Sequence, residues 1–141
     1  MRNVRIFHSV IAVGGMLLQV GGAFGQGQVD EGIRLMREAI DLRRTRGAPA
    51  TDKQLLLDVY DLAGVLIEIG RVSQAIDELE HAAPGAVERH RTQVSQAARL
   101  VIGRLKDAYA SRNTEAPGSV SEARVKQVDD WLAQMLAMGD G

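Results

Sequence analysis

The chain has no cysteine, which excludes disulfide staples, thiol catalysis, cysteine-ligated zinc and lipid attachment at a cysteine behind an apolar N-terminal run. Aromatic residues make up only 4%, too few for the stacking platforms that hold single-stranded nucleic acid or sugars. The formal net charge is -1, so no global field draws DNA or anionic lipid. No H-E-x-x-H, G-x-S-x-G or P-loop occurs, which removes the better-signposted zinc peptidase, hydrolase and nucleotide sites. The sequence therefore proposes no reaction, no cofactor and no metal, and the protein reads as a non-enzyme.

What is present is helical patterning around residues 54–83. The first half has apolar side chains on nearly every face, including Leu55, Leu56, Leu57, Val59, Leu62, Val65, Leu66 and Ile69, so it is expected to be a central helix covered on more than one side. The second half carries a narrower stripe, Val72, Ala75, Ile76, Leu79, Ala82 and Ala83, at the spacing of a helix covered on one face. Between them Gly70 supplies the left-handed conformation that closes a helix, and Ser73 is expected to cap the next one.

The order Leu62, Ala63, Leu66, Gly70, Ala75, Leu79, Ala82 resembles a tetratricopeptide (TPR) helix pair. Ala63, Ala75 and Ala82 match the small positions that let paired helices approach closely in that family. Val59 stands where the family has Trp, and Val87 where it has Pro. The segment MREAIDLRRTRG resembles the end of an upstream unit and linker in kinesin-light-chain-type arrays. In that alignment Gly32 corresponds to Ala75, a spacing of 43 residues against the about 34 of an ordinary repeat.

Residues 1–25 read as a signal peptide. Arg2 and Arg5 form a positive start, residues 6–20 are largely apolar, and Ala23-Phe24-Gly25 fits the small-x-small rule for cleavage before Gln26. An uncleaved membrane anchor is the alternative, because residues 6–24 approach the roughly 20 needed to span a bilayer. Without residues 1–25, which hold two arginines and no acid, 15 basic residues face 18 acidic ones, a net of -3. The expected location is periplasmic or secreted.

Residues 26–141 form one domain on this reading, with helices at about 30–46, 52–69, 72–83, 85–112 and 120–138. Asp30 is expected to cap the first, whose core side carries Ile33, Met36, Ala39, Ile40 and Leu42. Arg43, Arg44 and Arg46 at its end suit the helix dipole better than a phosphate site. Thr51 with Gln54, and Ser119 with Glu122, have the spacing of capping boxes. Pro84 is placed to open the fourth helix, with a break near Gly103 as the variant reading. Residues 113–118 (NTEAPG) read as a loop, and the last helix turns Ala123, Val125, Val128, Trp131, Leu132, Met135 and Leu136 to one side.

The expected fold is all-α, a short TPR-like α-solenoid of about five helices, with an antiparallel helical bundle as the alternative. The resemblance implies a groove lined by Leu57, Tyr60, Asp61, Gly64 and Glu68, binding a protein or peptide partner. The basic residues of the family's clamp for a terminal carboxylate are absent from these places. Nucleic acid is not expected as a partner, nor is the membrane after signal cleavage. The function that follows is an adaptor or assembly factor; a self-associating structural or secretion-associated bundle subunit, starting from a homodimer, is the alternative. His81 and His90 read as exposed helix-end histidines, Asp77, Glu78 and Glu80 as solvated surface, and Trp131 as core.

Overall fold

The structure, a computed structural model, describes residues 25–139. The signal-peptide reading of residues 1–25 falls, but for Gly25, outside them. All five elements are α-helices, and no strand occurs among the described residues. The described residues divide into two compact units, residues 25–48 and 49–139.

In the first unit, α1 (Gln26–Thr45) begins four residues before the expected start. Asp30 is therefore not a cap: it lies inside the helix, where Gln26 Nε2 donates to its carboxylate at 3.1 Å. Gly32, Ile33, Met36 and Ile40 are buried, but Leu42, expected in the core, is 46% exposed. Gly47 closes the helix at φ 92°, its N–H bonded to the Arg44 carbonyl and that of Ala48 to the Arg43 carbonyl.

The second unit holds α2 (Lys53–Glu68), α3 (Val72–Thr92), α4 (Gln96–Glu115) and α5 (Glu122–Ala137). Asp52 caps α2 by accepting from the Leu55 N–H at 2.9 Å, one residue past the expected Thr51. Leu55, Leu56, Asp58, Val59, Leu62, Ala63 and Leu66 are buried along a broad arc of the helix, so it is well covered on that side. Leu57, Val65 and Ile69, expected to be covered as well, are only half-buried, and the central places of the unit belong to α3 and α4. Gly70, at φ 85°, closes α2 as expected: its N–H meets the Ile67 carbonyl and that of Arg71 the Leu66 carbonyl. The tight closure leaves Arg71 as the residue before α3, so Ser73 is inside the helix and caps nothing.

The largest departure concerns Pro84. α3 does not end before it but runs on to Thr92, and the break comes at residues 93–95. Pro suits the first turn of a helix, but His81, Ala82 and Ala83 before it offer no side-chain acceptor that would favour a start there. Ser95 does: extended in backbone, it accepts from the Ala98 N–H at 3.2 Å and starts α4. The proline removes the helical bond to the Glu80 carbonyl, and burial of Gly85, Ala86 and His90 beyond it offsets that loss.

α4 is unbroken at Gly103 and extends to Glu115, taking in the first half of the expected loop. A Cβ at Gly103 would meet nothing within 4 Å. Gly103→Ala is therefore expected to stabilise the protein by about 1 kcal/mol, the helix-propensity difference alone; a loss of stability in urea unfolding would contradict a continuous helix with open space there. After α4, Asn113 brackets buried Val120, its Oδ1 accepting from the Val120 N–H at 2.8 Å and its Nδ2 donating to the Val120 carbonyl at 3.3 Å. This places Ser121, not Ser119, at the cap of α5, where it accepts from the Arg124 N–H. Ser119 instead donates to the Ala116 carbonyl.

Within this unit α2 packs on α3 and α4, α3 on α4 and α5, and α4 on α5. His90 joins three of these helices. Almost wholly buried, its Nδ1 accepts from the Ser95 N–H at 3.1 Å while Nε2 lies 3.1 Å from the Met135 carbonyl. A proton on Nε2 would satisfy the Ser95 N–H and the Met135 carbonyl together; Nδ1 also lies 3.1 Å from the Ser95 carbonyl.

Candidate functional site

The five residues assigned to a groove do share a face. Leu57, Tyr60, Asp61 and Gly64 are half-buried and Glu68 is exposed, on the side of α2 opposite its buried arc. What the sequence reading missed is Arg104 of α4. Its guanidinium lies 3.7 Å from the centre of the Tyr60 ring, and Nη1 donates to the Tyr60 carbonyl at 2.8 Å. The same Nη1 occupies the space above Gly64, where a Cβ would come within 2.2 Å of it. The small residue at 64 lets the arginine cross α2, and stacking on the ring holds it there. The face is thus built from α2 and α4 together, with a planar cation at its middle.

A second feature lies among α3, α4 and α5. A pocket of about 220 Å³ opens to solvent on one side, with Ala83, Pro84, Leu105, Val128 and Trp131 as its apolar walls. Glu80, Tyr109, Arg124 and Gln127 complete it. The Tyr109 hydroxyl donates to Glu80 Oε2, and so do Nε and Nη2 of Arg124, with Nε at 3.1 Å. The Arg124 guanidinium also sits 5.2 Å from the centre of the Tyr109 ring. Glu80 is therefore not merely solvated surface, and Trp131, half-buried, is a pocket wall and not core. Partners 29 and 44 residues away from Glu80 leave no local pattern by which to find this group.

Burial and the hydrogen bond to Glu80 push the Tyr109 hydroxyl up to about 12 from its ordinary 10. The folded chain holds this proton more tightly than the unfolded one. The resulting stability is complete below pH 10 and is lost as pH rises towards 12. The expected result is that the stability difference between the parent and Tyr109→Phe shrinks over that window, and that ultraviolet titration finds a tyrosine ionising near 12 that the variant lacks. A difference that stays flat from pH 9 to 12 would contradict the assignment.

No group of three or more His, Asp or Glu side chains able to hold a metal occurs among the described residues. His81 and His90 lie on the same helix, α3, and His90 is buried with both ring nitrogens engaged, not exposed at a helix end. No described helix is long and apolar enough to cross a membrane. Compared with protein-family models, curated proteins and solved structures, the chain matches none.

Proposed function

We propose that the protein is an exported, TPR-like interaction module that acts as an adaptor or assembly factor, without catalysis, and engages a protein or peptide segment on the α2–α4 face. The order of packing carries this reading. Each helix of the second unit lies on the next and the next but one, while α2 and α5 make no extensive contact with each other. A stack of helix pairs has that order, whereas a closed four-helix bundle brings its first and last helices together. In a stack the first helices of successive pairs, here α2 and α4, stand side by side, and their shared face presents Leu57, Tyr60, Asp61, Gly64 and Glu68 beside Arg104. Arginine and tyrosine are the residue types enriched where binding energy concentrates.

The test is crosslinking and capture from envelope extract with the chain tagged at its C-terminus and expressed from Met1, beside a Tyr60→Ala, Glu68→Arg double variant of unchanged helix content. A heterologous protein captured by the parent and lost in the variant, with a recovered N-terminus at Gln26, supports an exported adaptor. A second reading, self-association, rests on the exposure of Leu136 (62%) and Met138 (45%) at the end of α5. Light scattering that gives a dimer or larger, with only the chain itself captured, would replace the adaptor by the structural subunit.

A further inference from the structure

The pocket among α3, α4 and α5 has unused hydrogen-bonding capacity beside its apolar walls. All three donated bonds at Glu80 converge on Oε2, and Oε1 accepts none among the described residues. The Gln127 amide and the Trp131 N–H likewise make no hydrogen bond among the described residues. Arg124 already balances the Glu80 charge, so an ionised ligand would gain no net attraction and would lose its hydration against carbon walls. The volume, about 220 Å³, exceeds the roughly 150 Å³ of an apolar cavity known to hold benzene. Trp131 offers an aromatic wall for an offset or edge-on ring.

We propose that this pocket binds a single neutral aromatic ring bearing a hydroxyl or N–H donor, the ring against Trp131 and Pro84 and the donor on Glu80 Oε1. The ring can belong to a free small molecule or to a tyrosine or tryptophan side chain of a peptide; both present the same chemistry. The site is separate from the α2–α4 face and stands whether or not that face binds a partner.

Trp131 is the chain's one tryptophan, so its emission reports on the pocket directly. The experiment titrates the full chain with p-cresol and, separately, with toluene, reading Trp131 fluorescence at an excitation where neither ligand absorbs. p-Cresol is expected to produce a saturable change with a Kd on the order of 1 mM or tighter, and toluene to bind about tenfold more weakly for want of the donor. Glu80→Gln, which also loosens Arg124, is expected to reduce the preference for p-cresol over toluene; toluene binding retained by the same variant shows that the pocket is still formed, and a preference for p-cresol left at the parent's value overturns the role of Glu80. N-acetyltyrosinamide and a tyrosine-centred tripeptide then separate the sources: either binding as well as p-cresol assigns the ring to a peptide, and exclusion of both assigns it to a free molecule. A linear, unsaturable change with p-cresol, or equal affinities for p-cresol and toluene, overturns the proposal.

Discussion

His90→Ala is expected to cost about 4 kcal/mol, a large share of the roughly 5–15 kcal/mol that holds a domain of this kind together. Two losses combine. The ring is only 1% exposed, and truncating a large, fully buried side chain leaves a cavity costing roughly 2–5 kcal/mol where the surroundings collapse only in part. The Ser95 N–H also loses its acceptor at the start of α4, a further penalty of about 1–3 kcal/mol if no water replaces it. The Met135 carbonyl suffers less, because it also accepts from the Met138 N–H at 3.2 Å. Urea unfolding measures the total, and amide exchange measures where it falls: the last turns of α5 are expected to lose protection first, since Nε2 is their tie to the end of α3. A cost below 1 kcal/mol would mean that the imidazole only fills space.

Gly85→Ala is expected to destabilise by about 2 kcal/mol, although the same change in an open helix stabilises. A Cβ at Gly85 would lie 2.0 Å from the Ala50 carbonyl oxygen and 2.6 Å from its carbon. Those are backbone atoms, held in place because Arg89 donates to the neighbouring Thr51 carbonyl at 2.9 Å and the Asp52 N–H bonds the Pro49 carbonyl at 2.9 Å. The loop between residues 49 and 52 must therefore move as a piece. Overpacking of this kind costs typically 1–3 kcal/mol, more than the about 1 kcal/mol that alanine gains in helix propensity. Measured beside Gly103→Ala, the two glycines should shift the urea midpoint in opposite directions. Two shifts of the same sign would refute the close approach of the loop to α3.

Much of the architecture was legible because it is local. The run from Leu55 to Leu66 has too many apolar faces for anything but a well-covered helix, and Gly70 closes α2 with the backbone bonds that its position implied. Where the reading failed, a local signal had a close rival. Thr51 and Asp52 are adjacent potential caps, Ser119 and Ser121 are two residues apart, and the second of each pair is the cap. Pro84 has the look of a helix start although no cap precedes it, while Ser95, which is the cap, falls within the stretch whose apolar spacing implies helix interior. The candidate sites were less legible. One face of α2 followed from spacing alone, but Arg104 over Tyr60, and the meeting of Glu80, Tyr109 and Arg124, are made between helices. No periodicity within a helix encodes such pairs.

The neighbour-by-neighbour packing of α2 to α5 bears on how fast and in what order the unit assembles. Contacts between helices close in sequence demand little loop closure before they reward the chain, so folding belongs in the microsecond-to-millisecond range. α2 and α3, joined by the tight turn at Gly70, make the natural early pair, with α4 laid against both. α5 is expected to dock last, since it is held by His90, which lies beyond Pro84 on α3, and by Glu80, which it shares with Tyr109 of α4. Substitutions on α5 should accordingly speed unfolding while leaving the refolding rate nearly untouched.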